Sequence, residues 1–149
     1  MIIVLDTNII LDALQERTPF DIDAKEILKR AQSGEEFTCF FTANAATDIF
    51  YLYSKARDVN SAKAALTFLL NNFGVTSVTQ EDCKEALSLP IDDFEDALLL
   101  VCAKKAGADY IVTRDEKLLE ADSNVKLISP KEFTMLFPEN VPNIDYPDE

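Results

Sequence analysis

Four aspartates of this 149-residue chain stand where an enzyme could use them together. Asp6 ends the first apolar run, Asp115 closely follows the apolar run 110–113, and Asp48 and Asp96 lie in the early turns of helical patterns. Grouped carboxylates repel one another unless a cation binds them, and hard divalent cations prefer oxygen ligands. Such a cation can lower the pKa of a bound water molecule and so activate it as a nucleophile. The four acids therefore indicate a site for a divalent cation.

Each of these acids also has a purely structural interpretation. Asp6 and Asp115 could each cap the helix that follows them. Asp96 belongs to the acidic segment 92–96, in which all the acids complement the dipole at a helix N-terminus. Asp48 could be a solvated residue on a helix face. The prediction of a catalytic site therefore depends on the four acids being found together.

Missing residue types narrow the chemistry further. The chain has no histidine, which excludes Ser-His-Asp and Cys-His catalysis, zinc-protease motifs and any imidazole base. It has three glycines, so it contains no glycine-rich loop that could hold a phosphate or a dinucleotide. The three cysteines, Cys39, Cys83 and Cys102, are far apart and lie among apolar residues, which predicts reduced packing residues.

Length, hydropathy and charge set the class of protein. About half of the residues are apolar (48%), enough for one sizeable core, and we expect one domain over 1–137 followed by a flexible acidic tail over 138–149. The sequence has no signal peptide and no membrane-length apolar run, so we expect a cytoplasmic protein with no membrane partner. The net charge of −13 opposes nucleic-acid binding, but bound divalent cations would reverse that charge locally.

Apolar runs and helical patterns alternate along the chain and predict an α/β fold. The strand-like runs are 1–5, 37–41, 75–78, 110–113 and 125–128. Helical patterns separate them, which favours a three-layer α/β/α sandwich around a mostly parallel sheet of about five strands with right-handed crossovers. Ligands of such sheets bind beyond the carboxyl ends of the strands, and this edge is where we place the aspartates.

Cap residues predict where the helices begin and end. Asp23 with Glu26, Asn60, and Asp92 with Glu95 are the predicted caps of three helices. Thr42 or Asn44 begins another helix, and further helices are expected over 80–89, over 115–121 and from Pro130. Predicted stops are Gly34, Gly74 and Gly107.

Three segments in this order give the chain a resemblance to a known family. LDTNIILDAL at 5–14, DFEDALLLVCAKKAGADYIVTRD at 93–115 and the closing SPKEF at 129–133 resemble a PIN domain over roughly residues 1–137. The resemblance implies an α/β/α sandwich and Mg²⁺- or Mn²⁺-dependent cleavage of single-stranded or exposed RNA. Many small members are toxins of VapBC-type pairs, so it also implies an antitoxin protein as a partner.

The resemblance assigns roles to particular residues. It implies Asp6, Asp96 and Asp115 as the metal-binding acids, with Asn8 and Thr113 as polar neighbours. The family usually has glutamate in the helix after the second strand, whereas this chain has the shorter Asp48. Ligation through a water molecule, or by Asp93 one turn before Asp96, is the alternative. The neighbouring Arg114 and Lys117 could contact phosphates or be solvated surface residues.

The same pattern of strands, helices and aspartates is compatible with other functions. A receiver domain also gathers aspartates at strand ends, but it has a second acid after the first strand and a Lys-Pro step, where this chain has Pro130-Lys131. A phosphatase of the haloacid dehalogenase type needs an acid where Asn8 stands. A PIN fold without catalysis, acting as a scaffold or binding protein, is the third alternative. Helices around Phe50, Tyr51, Tyr53 and Phe68 could form a homodimer face.

Overall fold

The computed structural model describes residues 1–138, so all of the predicted tail except Pro138 lies outside the described residues. Five strands form one sheet in the order β3-β2-β1-β4-β5, and every pairing is parallel. The strands are β1 (Ile2–Leu5), β2 (Thr38–Thr42), β3 (Gly74–Thr76), β4 (Tyr110–Val112) and β5 (Lys126–Ile128). The predicted α/β class is confirmed, and the described sheet is parallel throughout.

Eight helices connect and cover these strands. They are α1 (Thr7–Leu14), α2 (Asp21–Ser33), α3 (Ala43–Ala56), α4 (Val59–Asn72), α5 (Gln80–Ser88), α6 (Phe94–Lys105), α7 (Glu116–Leu119) and α8 (Pro130–Leu136). None of the helices within residues 1–138 is long and apolar enough to cross a membrane.

Alternate residues of the central strand β1 show that both faces of the sheet are covered. Ile3 and Leu5 are buried in an apolar cluster that includes residues of α1, α2, α3 and α8. Val4 points to the other face and packs in a second cluster with Leu99 of α6 and Leu118 of α7. Successive side chains of a strand point to opposite faces, so one strand can contribute to both cores. This is the three-layer arrangement that the sequence predicts.

Three predicted helix caps are wrong, by one to three residues. The N-cap of α4 is Asp58, whose carboxylate accepts a hydrogen bond from the Ser61 amide at 2.7 Å, and Asn60 lies inside the first turn. The N-cap of α6 is Asp93 rather than Asp92. A capping carboxylate must reach the amide two or three residues ahead, and that register decides which of several neighbouring polar residues becomes the cap.

The third wrong cap belongs to α2, which begins at Asp21, so that Asp23 lies in its first turn. The Asp23 carboxylate instead accepts a hydrogen bond from the Thr134 hydroxyl of α8 at 3.3 Å. Thr42, one of the two predicted alternatives, is the N-cap residue of α3. The tertiary contact with α8 thus uses a carboxylate that the local pattern assigns to a cap.

The glycines end two helices as predicted and begin a strand in the third case. Gly34 and Gly107 adopt left-handed conformations at φ 69° and 68°, which side chains disfavour. Gly74 does not stop α4, which ends at Asn72, but begins β3 opposite Phe40. A Cβ atom on Gly74 would lie 2.2 Å from the Phe40 ring, so this strand pairing requires glycine. All three cysteines are free, with Cys39 and Cys102 buried.

Candidate functional site

The site begins where the two central strands end side by side. β1 pairs with β4, and the Asp6 amide continues the ladder by donating to the Val112 carbonyl at 3.0 Å. Thr113 follows β4 and is fully buried. Its hydroxyl donates to Oδ2 of Asp6 at 2.8 Å and accepts from the Asp115 amide at 3.1 Å. One hydroxyl therefore connects the first and last of the predicted metal-binding acids.

The two strand-end acids differ in their relation to the helices that follow them. Asp6 occupies the N-cap position of α1, but its side chain makes no capping hydrogen bond. Asp115 is a true cap, since its Oδ1 accepts from the amides of Lys117 at 3.0 Å and Leu118 at 3.4 Å. Burial raises the pKa of Asp6, and repulsion from Asp115 raises it further. The hydrogen bond from Thr113 lowers this pKa, but by less than burial raises it. The structural interpretation thus holds for Asp115 and fails for Asp6.

Asp96 joins these acids from the first turn of α6. Its amide donates to Oδ1 of Asp93 at 3.0 Å, so Asp93 fixes the start of the helix. Burial first, and then repulsion from Asp93, Asp6 and Asp115, raises the pKa of Asp96 to about 6. Repulsion of this kind requires proximity, and the structure therefore brings Asp6, Asp96 and Asp115 together at one edge of the sheet.

Glu95 is also a member of the acidic group, although the sequence assigned it only to the cap and the dipole of a helix N-terminus. Its pKa is raised by partial burial of the carboxyl group, then by repulsion from Asp48 and Asp6. Among the acids that repel Glu95, Asp48 of α3 has the largest effect on its pKa. The charges of both Asp48 and Asp6 therefore act on Glu95. Two features of the sequence could have indicated Glu95 as a site residue: its position next to Asp96, and a side chain one methylene longer than that of aspartate.

The remaining predicted residues have different surroundings. Asn8 is exposed in the first turn of α1. Asp93 is exposed and serves as the α6 cap, so its carboxylate already has a structural partner. Lys117 lines a cavity of about 180 Å³ together with Asp93 and Asp96. The structure places these residues at the same edge of the sheet, and their roles stay predictions.

The donor set fits a hard cation in its chemistry. The grouped acids offer carboxylate oxygens, the ligands that Mg²⁺ and Mn²⁺ prefer, and their mutual repulsion is what a cation relieves. Within residues 1–138, no three acidic or cysteine side chains are placed so that they could hold a metal ion together. The acids that would hold such an ion are Asp6, Asp96 and Asp115, and their side chains would have to move towards one another to do so.

A buried ion pair lies beside the acids and was not predicted. Asp12 of α1 is fully buried, and its carboxylate accepts from Nε of Arg114 at 2.6 Å and from Nη2 at 3.1 Å. Nη1 of Arg17 lies 3.7 Å from the same carboxylate. Arg114 is the residue between Thr113 and Asp115, so this ion pair fixes a cation directly next to the acidic group.

Solved structures with the same fold come from several bacteria. A chain of VapBC2 from Rickettsia felis, bound to a promoter DNA fragment, superposes with a TM-score of 0.64 at 18% identity, covering 87% of this chain and 98% of that chain. VapC20 from Mycobacterium tuberculosis, a toxin that cleaves the sarcin-ricin loop, superposes with a TM-score of 0.64 at 16% identity. The superposition covers 81% of this chain and 95% of that chain. A chain of a toxin-antitoxin complex from Klebsiella pneumoniae superposes with a TM-score of 0.64 at 18% identity, covering 85% of this chain and 96% of that chain. At these identities the likeness is one of fold.

Sequence comparison gives the family. A search among curated proteins found no match. The family model described as a PIN domain matches residues 2–117, which include β1 to β4 and all of the grouped acids. The match spans most of the chain, so the chain belongs to the PIN-domain family.

Proposed function

We propose that this protein is a divalent-metal-dependent endoribonuclease that cuts RNA at the acidic group beside β1 and β4. The single observation that carries the proposal is the pKa of Asp96, raised to about 6 by burial and by the surrounding acids. Repulsion between neighbouring carboxylates lowers stability, and a bound cation relieves that repulsion. Family membership makes nuclease chemistry the first function to test.

In this proposal each residue has a defined task. Asp6, Asp96 and Asp115 hold Mg²⁺ or Mn²⁺, and Asp48 completes the catalytic set from α3. When bound, the cation supplies an activated water and neutralises charge on the phosphate. Thr113 orients the Asp6 carboxylate, and Asn8 and Asp93 support the edge of the site.

Glu95 gives a concrete way for Asp48 to take part although its side chain is short. The two carboxylates repel each other, so they face a common space. A water or a second cation between them would join Asp48 to the remaining acids. The number of ions is therefore a measurable part of the proposal.

We extend the proposal to protein partners and to cellular location. Relatives of the same fold occur in toxin-antitoxin complexes, which supports a toxin role in the cytoplasm with an antitoxin protein as partner. Tyr51 of α3 and Phe68 of α4, two residues of the predicted homodimer face, are 55% and 38% exposed, which supports a homodimer through these helices.

The test is cleavage of single-stranded RNA by purified protein with Mg²⁺, Mn²⁺ or excess chelator. We expect cutting with either ion and none in chelator. Asp92→Asn is the matched control for Asp96→Asn, because it removes the same charge from the same segment outside the grouped acids. Asp92→Asn should cut at about the wild-type rate and Asp96→Asn should not cut.

Two outcomes would reject the proposal. Cleavage that persists in chelator would remove the metal from the mechanism. A wild-type protein that binds RNA and Mn²⁺ but never cuts would favour the alternative of a PIN fold without catalysis.

A further inference from the structure

A second cavity opens next to the grouped acids, on the far side of Arg114. It has a volume of about 360 Å³, and its walls come from the start of α2, the second residue after β4 and the start of α8. Among the residues that line it are Phe20, Arg114 and Lys131. Its size falls within the usual range of small-molecule sites, roughly 300 to 1,000 Å³. The function proposed above assigns no role to this cavity.

Two cations, Arg114 and Lys131, line the cavity in a chain of net charge −13. Buried Asp12 holds both Arg114 and Arg17, so one carboxylate serves two guanidinium groups. Lys131 adds a second cation to the lining, which also contains the carboxylate of Asp23. The lining thus has one cation more than it has acids, which favours an anionic ligand such as a phosphate.

An aromatic side chain forms the apolar wall of the cavity. The Arg114 guanidinium carbon lies 4.2 Å from the centre of the Phe20 ring, and the Phe20 residue is 47% exposed. A large exposed ring stacked against a fixed arginine is an arrangement that suits a nucleobase, since every base offers a π face. The neighbouring Pro19 widens this apolar surface.

The cations and the aromatic wall together favour a ligand that has both an anionic group and a flat ring. We propose that this cavity binds one nucleotide of the substrate RNA, with its base against Phe20 and its phosphate between Arg114 and Lys131. The inference rests on the proposed ribonuclease function. Arg114 is adjacent to both Thr113 and Asp115, so a nucleotide held here belongs to the strand that enters the acidic site.

Binding of a short fluorescein-labelled single-stranded RNA, measured by anisotropy in the non-cutting Asp96→Asn protein, tests the cavity. Phe20→Leu keeps an apolar side chain but removes the ring, and we expect binding about fivefold weaker or more. Lys131→Gln should also weaken binding, and the slope of log affinity against log salt should fall by about 0.7, the value for one phosphate contact on a single strand.

Two control variants change the same properties outside the cavity. Ile22→Ala removes an exposed apolar side chain from the same helix, and Lys63→Gln removes a cation from exposed α4. Both should bind RNA as the Asp96→Asn parent does.

The outcomes separate this inference from the proposed function. If wild type cuts RNA but Phe20→Leu and Lys131→Gln bind like the parent, the nucleotide cavity is rejected and the nuclease stands. If the parent binds no RNA, or if these variants instead lose a copurifying protein, the cavity is not a nucleotide site. Failure of wild type to cut RNA rejects the nuclease, while cavity-dependent binding would still support the inference.

Discussion

The Thr113 hydroxyl donates a 2.8 Å hydrogen bond to Asp6 across 107 positions of sequence, and it also accepts from the Asp115 amide at 3.1 Å. This contact exists because β1 and β4 are neighbours in the sheet although they are far apart in the chain. A fully buried hydroxyl therefore determines how the Asp6 carboxylate is oriented.

Replacing Thr113 by valine should lower RNA cleavage while the fold is retained. The change keeps the shape of the side chain but removes the Asp6 hydrogen bond and leaves the Asp115 amide unpaired, which costs about 1–3 kcal/mol of unfolding free energy. Urea unfolding and the cleavage rate in Mn²⁺ measure the two effects.

Thr76→Val is the control for this substitution. Thr76 is buried at the end of β3, and residues 1–138 offer its hydroxyl no partner stronger than the Cys102 thiol. It should cost little stability and leave cleavage unchanged. Equal effects of the two valine variants would show that Thr113 has no special relation to the site.

Asp96→Asn should abolish cleavage and raise the melting temperature of the metal-free protein. The substitution removes a carboxylate that Asp93, Asp6 and Asp115 repel. If Asp96 only complemented the helix dipole, the same change would instead cost about 0.3–1 kcal/mol. Thermal melting in chelator gives the sign, and a mutant that melts lower yet cuts like wild type would make Asp96 structural.

Stability without metal should depend on pH through Asp96. Its folded-state pKa of about 6 exceeds the ordinary 3.8, so the native protein holds this proton where the unfolded chain has lost it. The contribution is complete below the unfolded pKa and is lost as the pH rises to about 6. Melting of wild type and Asp96→Asn in chelator, compared from about pH 4 to 7, should show the two curves diverging as the pH rises. Parallel curves would contradict this.

Protons should also compete with the metal ion for the same carboxylate. Cleavage by wild type at limiting Mn²⁺ should therefore decline as the pH falls through about 6, the pKa of Asp96, and higher Mn²⁺ should restore part of it. Rates measured at two Mn²⁺ concentrations across this range are the check. A decline that added Mn²⁺ cannot reverse would place the titrating group elsewhere.

The two arginines on Asp12 should differ in their importance for stability. Arg114→Gln removes the close contacts at 2.6 and 3.1 Å and leaves a fully buried carboxylate with Arg17 at 3.7 Å, which should cost about 3 kcal/mol. Arg17→Gln should cost about 1 kcal/mol or less, because that pair is longer and Arg17 is partly exposed. Urea unfolding of the two variants compares them, and equal losses would contradict this ranking.

The order of the elements and the edge at which the acids lie could be predicted from the sequence. Apolar runs such as 110–113 and the helical patterns between them are local signals, and a parallel sheet follows from their alternation. Asp6 and Asp115 stand directly after strands, so their place at the carboxyl edge needs no knowledge of distant contacts. Local patterns do not show which of two neighbouring polar residues caps a helix. Asp93 rather than Asp92 caps α6, and the two differ by a single position in the chain.

Which side chains meet across that edge was decided by the tertiary structure. Asp12 and Arg114 are 102 positions apart, and α1 buries the carboxylate whose partner follows β4. The sequence alone presents Asp12 as one acid in an apolar helix. In the same way, Glu95 belongs to the acidic group because α3 brings Asp48 towards α6. Repulsion and ion pairing fall off over a few ångströms, so these relationships depend on distances that only the packing of helices on the sheet establishes.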